Sequence, residues 1–340
     1  MRIFNYKLIN LLLICTLFNL VGCNQEKKIE NLSSTNTNIE ETVSNPSENK
    51  LNLTVSLLPQ KYFVEKIGGE LVNVNVMVEP GASAETYEPL PQQLANLSNS
   101  SAYISIGVPF EQVWLEKIKS ANPQIPIINS GKGIEKIAMI GHHHDHENEN
   151  HQDEDHTDEN HTDENHTDEK AEGKEGEKES LDPHIWLSPK LAKIQAENIY
   201  QELVKLDPKN QAIYQKNLAT FITEIETLDQ QITEKFANVN KRKFMIYHPA
   251  WGYFAKDYNL EQISIEFEGQ EATSTTLASL IKQAKEDNIN VIFAQPQFSQ
   301  KTVETLAKAI NAEVVILDDL APNWSENLLQ VADKLSQSMK

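Results

Sequence analysis

The chain has 340 residues and a formal net charge of −20, from 50 acidic and 30 basic side chains. Much of that charge is local: residues 141–180 hold sixteen Asp and Glu against three Lys, so the remainder is only mildly acidic and shows no basic face for nucleic acid. The length accommodates two ordinary domains once the non-globular stretches are set aside.

Arg2 and Lys7 precede an apolar run, Leu8–Leu20, which is too short and wrongly flanked for a comfortable membrane span and reads as a secretory signal over residues 1–23. Leu20-Val21-Gly22-Cys23 resembles the lipobox of bacterial lipoproteins, in which the cysteine is lipidated and becomes the mature N-terminus. The blander reading is an uncleaved anchor or a plain signal cut nearby. Cys15 and Cys23 are the two cysteines, so the mature body is expected to have no thiol for a disulfide, a zinc–thiolate site or a nucleophile. Residues 24–50 are polar and almost devoid of apolar side chains, and are expected to form a disordered tether spanning roughly 30 Å.

From residue 51 the pattern alternates. Strands are predicted at Leu51–Leu58, Leu71–Val78, Ala102–Ile106 and Ile125–Ile128, and helices at Pro59–Ile67, Pro91–Ser98 and Pro109–Lys119. Strands alternating with helices indicate parallel βαβ units. Residues 141–180 then interrupt the fold with three pentads beginning at His156, His161 and His166. This composition cannot pack a core and is expected to be disordered. Order returns at Leu181 and leads into a helix ending near Leu206. Asp207-Pro208 opens a second helical pattern to about Ala237, some 30 residues or ~45 Å. That is too long for a routine crossover, so it is read as a spine linking two lobes. Beyond it, strands are predicted at Phe244–Tyr247, Gln262–Ile265, Val291–Ala294 and Glu313–Leu317, and helices at Gly252–Lys256, Thr275–Glu286, Gln300–Ile310 and Ser325–Ser338. The expected organisation is an α/β lobe at 51–206 carrying the acidic insertion, a linking helix at 207–239, and a second α/β lobe at 240–340, each lobe with a mainly parallel sheet.

Ligands of open α/β sheets bind beyond the carboxyl ends of the strands. Residues of metal-binding type just past predicted strand ends are Glu85 and His184 in the first lobe and His248 and Asp318 in the second. Pro249 ends the strand at His248 and biases it towards an extended backbone, which aims the imidazole off the strand end. Each residue alone has a plain explanation: a surface carboxylate, a turn residue between prolines, a hydrogen-bonded histidine near the core, a helix cap. Together, two imidazoles and two carboxylates make a workable set for a divalent first-row metal.

The segments Pro80-Gly-Ala-Ser with Tyr87-Glu-Pro89, Asp182-Pro-His-Ile-Trp-Leu187, His248 with Gly252-Tyr-Phe254, and Asp318-Asp-Leu320 resemble, in order, the four ligand segments of the metal-ion solute-binding lipoproteins of ABC importers. The zinc- and manganese-uptake binding proteins form this cluster A-I, and the acidic, His-rich insertion resembles its zinc branch. The resemblance implies two α/β lobes joined by a rigid helix, a metal between them, no enzymatic activity, and delivery of the ion to an ABC permease by a monomer lipid-anchored outside the cytoplasm. His184, His248 and Asp318 match ligand positions of the family. Glu85 stands where the family usually has histidine, and Gln295 where glutamate is common.

Zn2+ is the expected cargo, with Mn2+ the alternative, since a mixed nitrogen and oxygen set binds zinc more tightly. His142, His143, His144, His146, His151, His156, His161 and His166 are read as auxiliary sites of weak metal capture, against the plainer reading of a solvated acidic spacer. Rival functions are a surface metal buffer or adhesin, and a secreted metallohydrolase. The latter requires an open coordination position and a base, and no His-Glu-x-x-His motif is present.

Overall fold

The structure, a computed structural model, describes residues 50–139, 180–266 and 269–340. Cys23, the tether and the eight histidines from His142 to His166 lie outside the described residues. Strands β1 (Leu51–Val55), β2 (Val72–Val76), β3 (Ala102–Ser105) and β4 (Ile127–Asn129) form a parallel sheet in the order β2-β1-β3-β4. Strands β5 (Lys243–Ile246), β6 (Glu261–Ser264), β7 (Val291–Ala294) and β8 (Glu313–Ile316) repeat the pattern as β6-β5-β7-β8, also parallel. In each sheet the order of connection reverses beside the first strand, which opens a crevice at the carboxyl ends of the strands.

The helices are α1 (Leu58–Gly68), α2 (Pro91–Asn96), α3 (Pro109–Ala121), α4 (Pro189–Leu206), α5 (Gln211–Phe236), α6 (Gly252–Asp257), α7 (Ser274–Glu286), α8 (Lys301–Ile310) and α9 (Trp324–Ser338). Proline occupies the first turn of α1, α2, α3 and α4, where its missing N–H costs nothing. Strand β1 ends at Val55, not Leu58, because the Gln60 side chain accepts hydrogen bonds from the Ser56 and Leu57 N–H groups and turns the chain directly into α1. The long helix is 26 residues, since Pro208–Asn210 forms a separate 3-10 turn ahead of it. Its length is therefore about 39 Å.

Helix α5 buries Tyr214, Phe221, Ile225, Leu228, Ile232 and Phe236, a stripe at helical spacing. Near its middle Phe221 meets Phe63 of α1 at 5.6 Å between ring centroids, and at its C-terminal end Phe236 meets Phe254 of α6 at 6.1 Å. The same helix thus packs on both lobes. Alternation along β5 divides the cores: Phe244 and Ile246 join the large cluster that also holds Leu53, Val55 and Ile104 of the first sheet. Met245 faces a smaller cluster with Ile263, Leu280 and Leu306. The acidic insertion departs and returns at one place. Met139 N–H donates to the Ser180 carbonyl at 2.8 Å, and Asp182 N–H to that of Ile137 at 2.9 Å.

Candidate metal centre

His248 lies two residues beyond β5, buried, and its backbone is clamped by one side chain. Its N–H donates to Gln295 Oε1 at 3.2 Å, and its carbonyl accepts from Gln295 Nε2 at 2.7 Å. An amide both donates and accepts, so the one side chain of Gln295 serves both backbone groups; an ionised carboxylate would offer no donor for the carbonyl. Nδ1 of His248 lies 2.7 Å from Oε2 of buried Glu266, which also accepts from the Gly269 N–H. A carboxylate at Nδ1 places the ring proton there and leaves Nε2 with a lone pair.

His184 sits in the turn before α4 and repeats the arrangement. Asp182 Oδ1 accepts from both its backbone N–H at 2.9 Å and its Nδ1 at 2.8 Å, again freeing Nε2. A Cβ at Gly252 would come within 2.6 Å of Asp182 Oδ2, so the second lobe can approach this carboxylate only with glycine there. The two Nε2 atoms face each other at 3.2 Å, and Glu85 Oε1 lies 3.2 Å from that of His248. Glu85 is presented by the loop after β2. The loop is fastened by Phe110 N–H donating to the Ala84 carbonyl at 3.2 Å and by Tyr87 packed edge-on against Phe110.

The ligand-type atoms of Glu85, His184 and His248 all lie within 4.8 Å of one another. Zinc–ligand bonds of about 2.0–2.1 Å in a tetrahedron put neighbouring ligand atoms ~3.3 Å apart. The 3.2 Å spacings therefore match the edges of a zinc polyhedron. Three of the four expected site residues thus converge.

Asp318 does not join them. Its Oδ1 accepts from Gln297 Nε2 at 2.8 Å and from the Leu320 N–H at 3.0 Å, a local Asx-type turn that draws the carboxylate away from the cavity wall. The next residue, Asp319, lines the cavity instead. It is buried, and its Oδ1 has no hydrogen-bond partner among the described residues. Its backbone carbonyl is anchored across the lobes by Trp186 Nε1 at 2.7 Å. Phe298 stacks on the His248 ring at 4.6 Å.

Glu266, Asp319, Gln297 and Phe298 escaped the reading of the sequence. For Glu266 a signal existed: β5 pairs with β6 so that Ile246 faces Ser264, and two residues further along each strand are His248 and Glu266. Burial pulls the His248 pKa down, but the Glu266 hydrogen bond and the Glu85, Glu266 and Asp319 charges outweigh it, and the net shift is upward from 6.5. Burial raises the Asp319 carboxyl, against the pull of both imidazoles.

Two like α/β lobes, a shared long helix and an imidazole–carboxylate cluster beyond the strand ends define a metal-ion solute-binding protein. More narrowly, the chain belongs to the ZnuA family, described as zinc-uptake complex component A, periplasmic, whose profile matches residues 53–339. It is 30% identical over 275 residues to the high-affinity zinc uptake system protein ZnuA of Bacillus subtilis (strain 168), covering 80% of this chain and 79% of that one. It is 25% identical to the zinc-binding lipoprotein AdcA of Streptococcus pneumoniae (strain ATCC BAA-255 / R6) over 98% of this chain and 60% of AdcA, so it spans well under the full length of that relative. Solved structures of ZnuA, one a deletion mutant with zinc bound, are 43% identical with a TM-score of 0.73. Each match covers 86% of this chain, and 100% and 99% of theirs.

Proposed function

We propose that the protein captures Zn2+ outside the cytoplasm, holds it between the lobes through His184 Nε2, His248 Nε2, Glu85 and Asp319, and passes it to the permease of an ABC importer. The observation that carries this is the pair of imidazole nitrogens and the Glu85 oxygen at tetrahedral-edge spacing, each imidazole backed by a buried carboxylate. Two carboxylates in the inner set balance a divalent charge, which favours burial of the ion. Asp319 is assigned the fourth position because it lines the cavity and its buried Oδ1 has no partner among the described residues. Zinc over manganese follows from the nitrogen donors and is supported by the zinc named for the B. subtilis and S. pneumoniae relatives. Lipidation at Cys23 fits the lipoprotein named in S. pneumoniae and the lipobox-like residues Leu20–Cys23. The histidine-rich insertion, emerging beside Asp182, is assigned to weak capture of the same ion.

Calorimetric titration of the apo protein is expected to show one tight zinc site and weaker binding of manganese. Tight manganese and weak zinc would overturn the assignment. A proton on His248 Nε2 competes with the metal, so zinc affinity should decline as pH falls through the raised pKa, beginning above 6.5. The apo protein runs the other way. The raised pKa contributes stability that is present in full below 6.5 and lost as pH rises through the folded value. The difference in Tm between zinc-loaded and apo protein should therefore widen as pH rises from 6.5 through the raised pKa; a constant difference would remove His248 from the site.

A further inference from the structure

Gln297 follows β7 and lines the metal cavity, yet the fourfold set proposed above leaves it without a role. Its amide nitrogen donates to Asp318 Oδ1 at 2.8 Å. An ionised carboxylate only accepts, so this contact fixes which end of the amide is which; turning it over would set two oxygens against each other. The oxygen therefore occupies the opposite end, away from Asp318, which does not line the cavity. There Oε1 is buried and has no hydrogen-bond partner among the described residues. A buried acceptor left alone is costly and calls for an explanation.

Among the described residues no lining side chain donates to it: Trp186 Nε1 is committed to the Asp319 carbonyl. Glu85 and Asp319 present carboxylate oxygens, metal-ready His184 and His248 present Nε2 lone pairs, and the Ser83 hydroxyl, which accepts from Glu85 N–H, makes no hydrogen bond to it. The missing donor is then a water in the cavity, which a bound ion would hold in place.

Resting on the zinc site just described, we propose that Gln297 Oε1 accepts a hydrogen bond from a water carried by the bound ion as its fifth ligand, and that Asp318 is a positioning residue acting through Gln297. The site then has two imidazoles, two carboxylates and one oriented water. The amide oxygen adds polarity without charge, so the carboxylates still balance the cation. The conspicuous Asp318-Asp319 pair is divided accordingly: one residue faces the ion and the other aims the amide.

The test uses the full chain with zinc alone and with Co2+ alone as a spectroscopic stand-in. Gln297→Leu, of similar bulk, is expected to raise the zinc Kd about tenfold, as loss of an outer-sphere partner does. It should also intensify the visible Co2+ bands as the ion passes from five to four ligands. Asp318→Ala should match it, and the double variant should be no weaker than either single one. Asp318→Asn keeps an oxygen to accept from Gln297 and Leu320, and should stay within about twofold of the parent. An unchanged Kd and cobalt spectrum in Gln297→Leu would overturn the proposal. So would Asp318→Asn losing as much as Asp318→Ala, with effects that add to those of Gln297→Leu, since that is the behaviour of a direct ligand. His248→Ala separates the two readings: if it binds zinc as the parent does, the site itself is wrong. If it loses zinc while Gln297→Leu does not, only the Gln297 assignment falls.

Discussion

His248→Ala is expected to weaken zinc binding by about a hundredfold or more. Four-ligand zinc sites are worth about 10–16 kcal/mol, or about 3 kcal/mol per ligand, and 1.4 kcal/mol is a factor of ten. The loss exceeds one bond's share because His248 Nε2 touches both other members of the cluster, at 3.2 Å to His184 and 3.2 Å to Glu85. Removing the imidazole also strands Glu266, whose carboxylate is buried against Nδ1 at 2.7 Å, so the apo protein should lose stability as well. Glu266→Gln provides the contrast. The amide oxygen still accepts from Nδ1, the ring keeps its orientation but loses some basicity, and the zinc Kd should rise only about tenfold. Competition against a chelator of known affinity measures both variants. Equal losses would mean that Glu266, not the imidazole, carries the site.

The alternation of strands and helices was legible because apolar runs end at Gly, Pro and polar turns, and all eight strands fall within three residues of their expected bounds. His248 was legible for a physical reason too: Pro249 ends the run at a strand exit, where α/β proteins place ligands. The carboxylates were harder. Asp318 and Asp319 are adjacent and chemically identical, and which of them faces the cleft is decided by whether the Leu320 N–H captures the first. That is a matter of turn geometry, to which hydrophobic periodicity is blind. Asp182 and Glu266 act on the ion only through an imidazole, so their roles emerge once the pairing of β5 with β6 and the turn at His184 bring each pair together. Gln297 is harder still, since its role depends on an acceptor that lacks a partner, and no pattern of residue types encodes a missing contact.

Trp324→Ala is expected to cost about 3–5 kcal/mol of folding stability, the range for truncating a fully buried aromatic. The ring is 1% exposed and stands where α1, α5 and α9 meet, 4.9 Å from Phe63, 6.1 Å from Tyr62 and 6.3 Å from Phe221. Those partners come from the first lobe and the linking helix, while Trp324 begins the last helix of the second. Because one cluster contains side chains from both sheets, the lobes should unfold in a single transition, and denaturation followed by fluorescence and by circular dichroism should coincide in the parent. If the melts separate, the common core contributes less than each lobe's own packing. The indole has a second role. Its Nε1 donates to the Trp186 carbonyl at 2.6 Å, and Trp186 Nε1 donates in turn to the Asp319 carbonyl at 2.7 Å. Trp324→Phe keeps most of the ring and removes only the first of these bonds, so it should cost about 1–3 kcal/mol, the penalty of a buried carbonyl left unpaired. It should also loosen the hold on Asp319, raising the zinc Kd in a variant that melts well above Trp324→Ala. A zinc affinity that follows stability alone across the two variants would show that this hydrogen-bonded chain stiffens the core without reaching the metal.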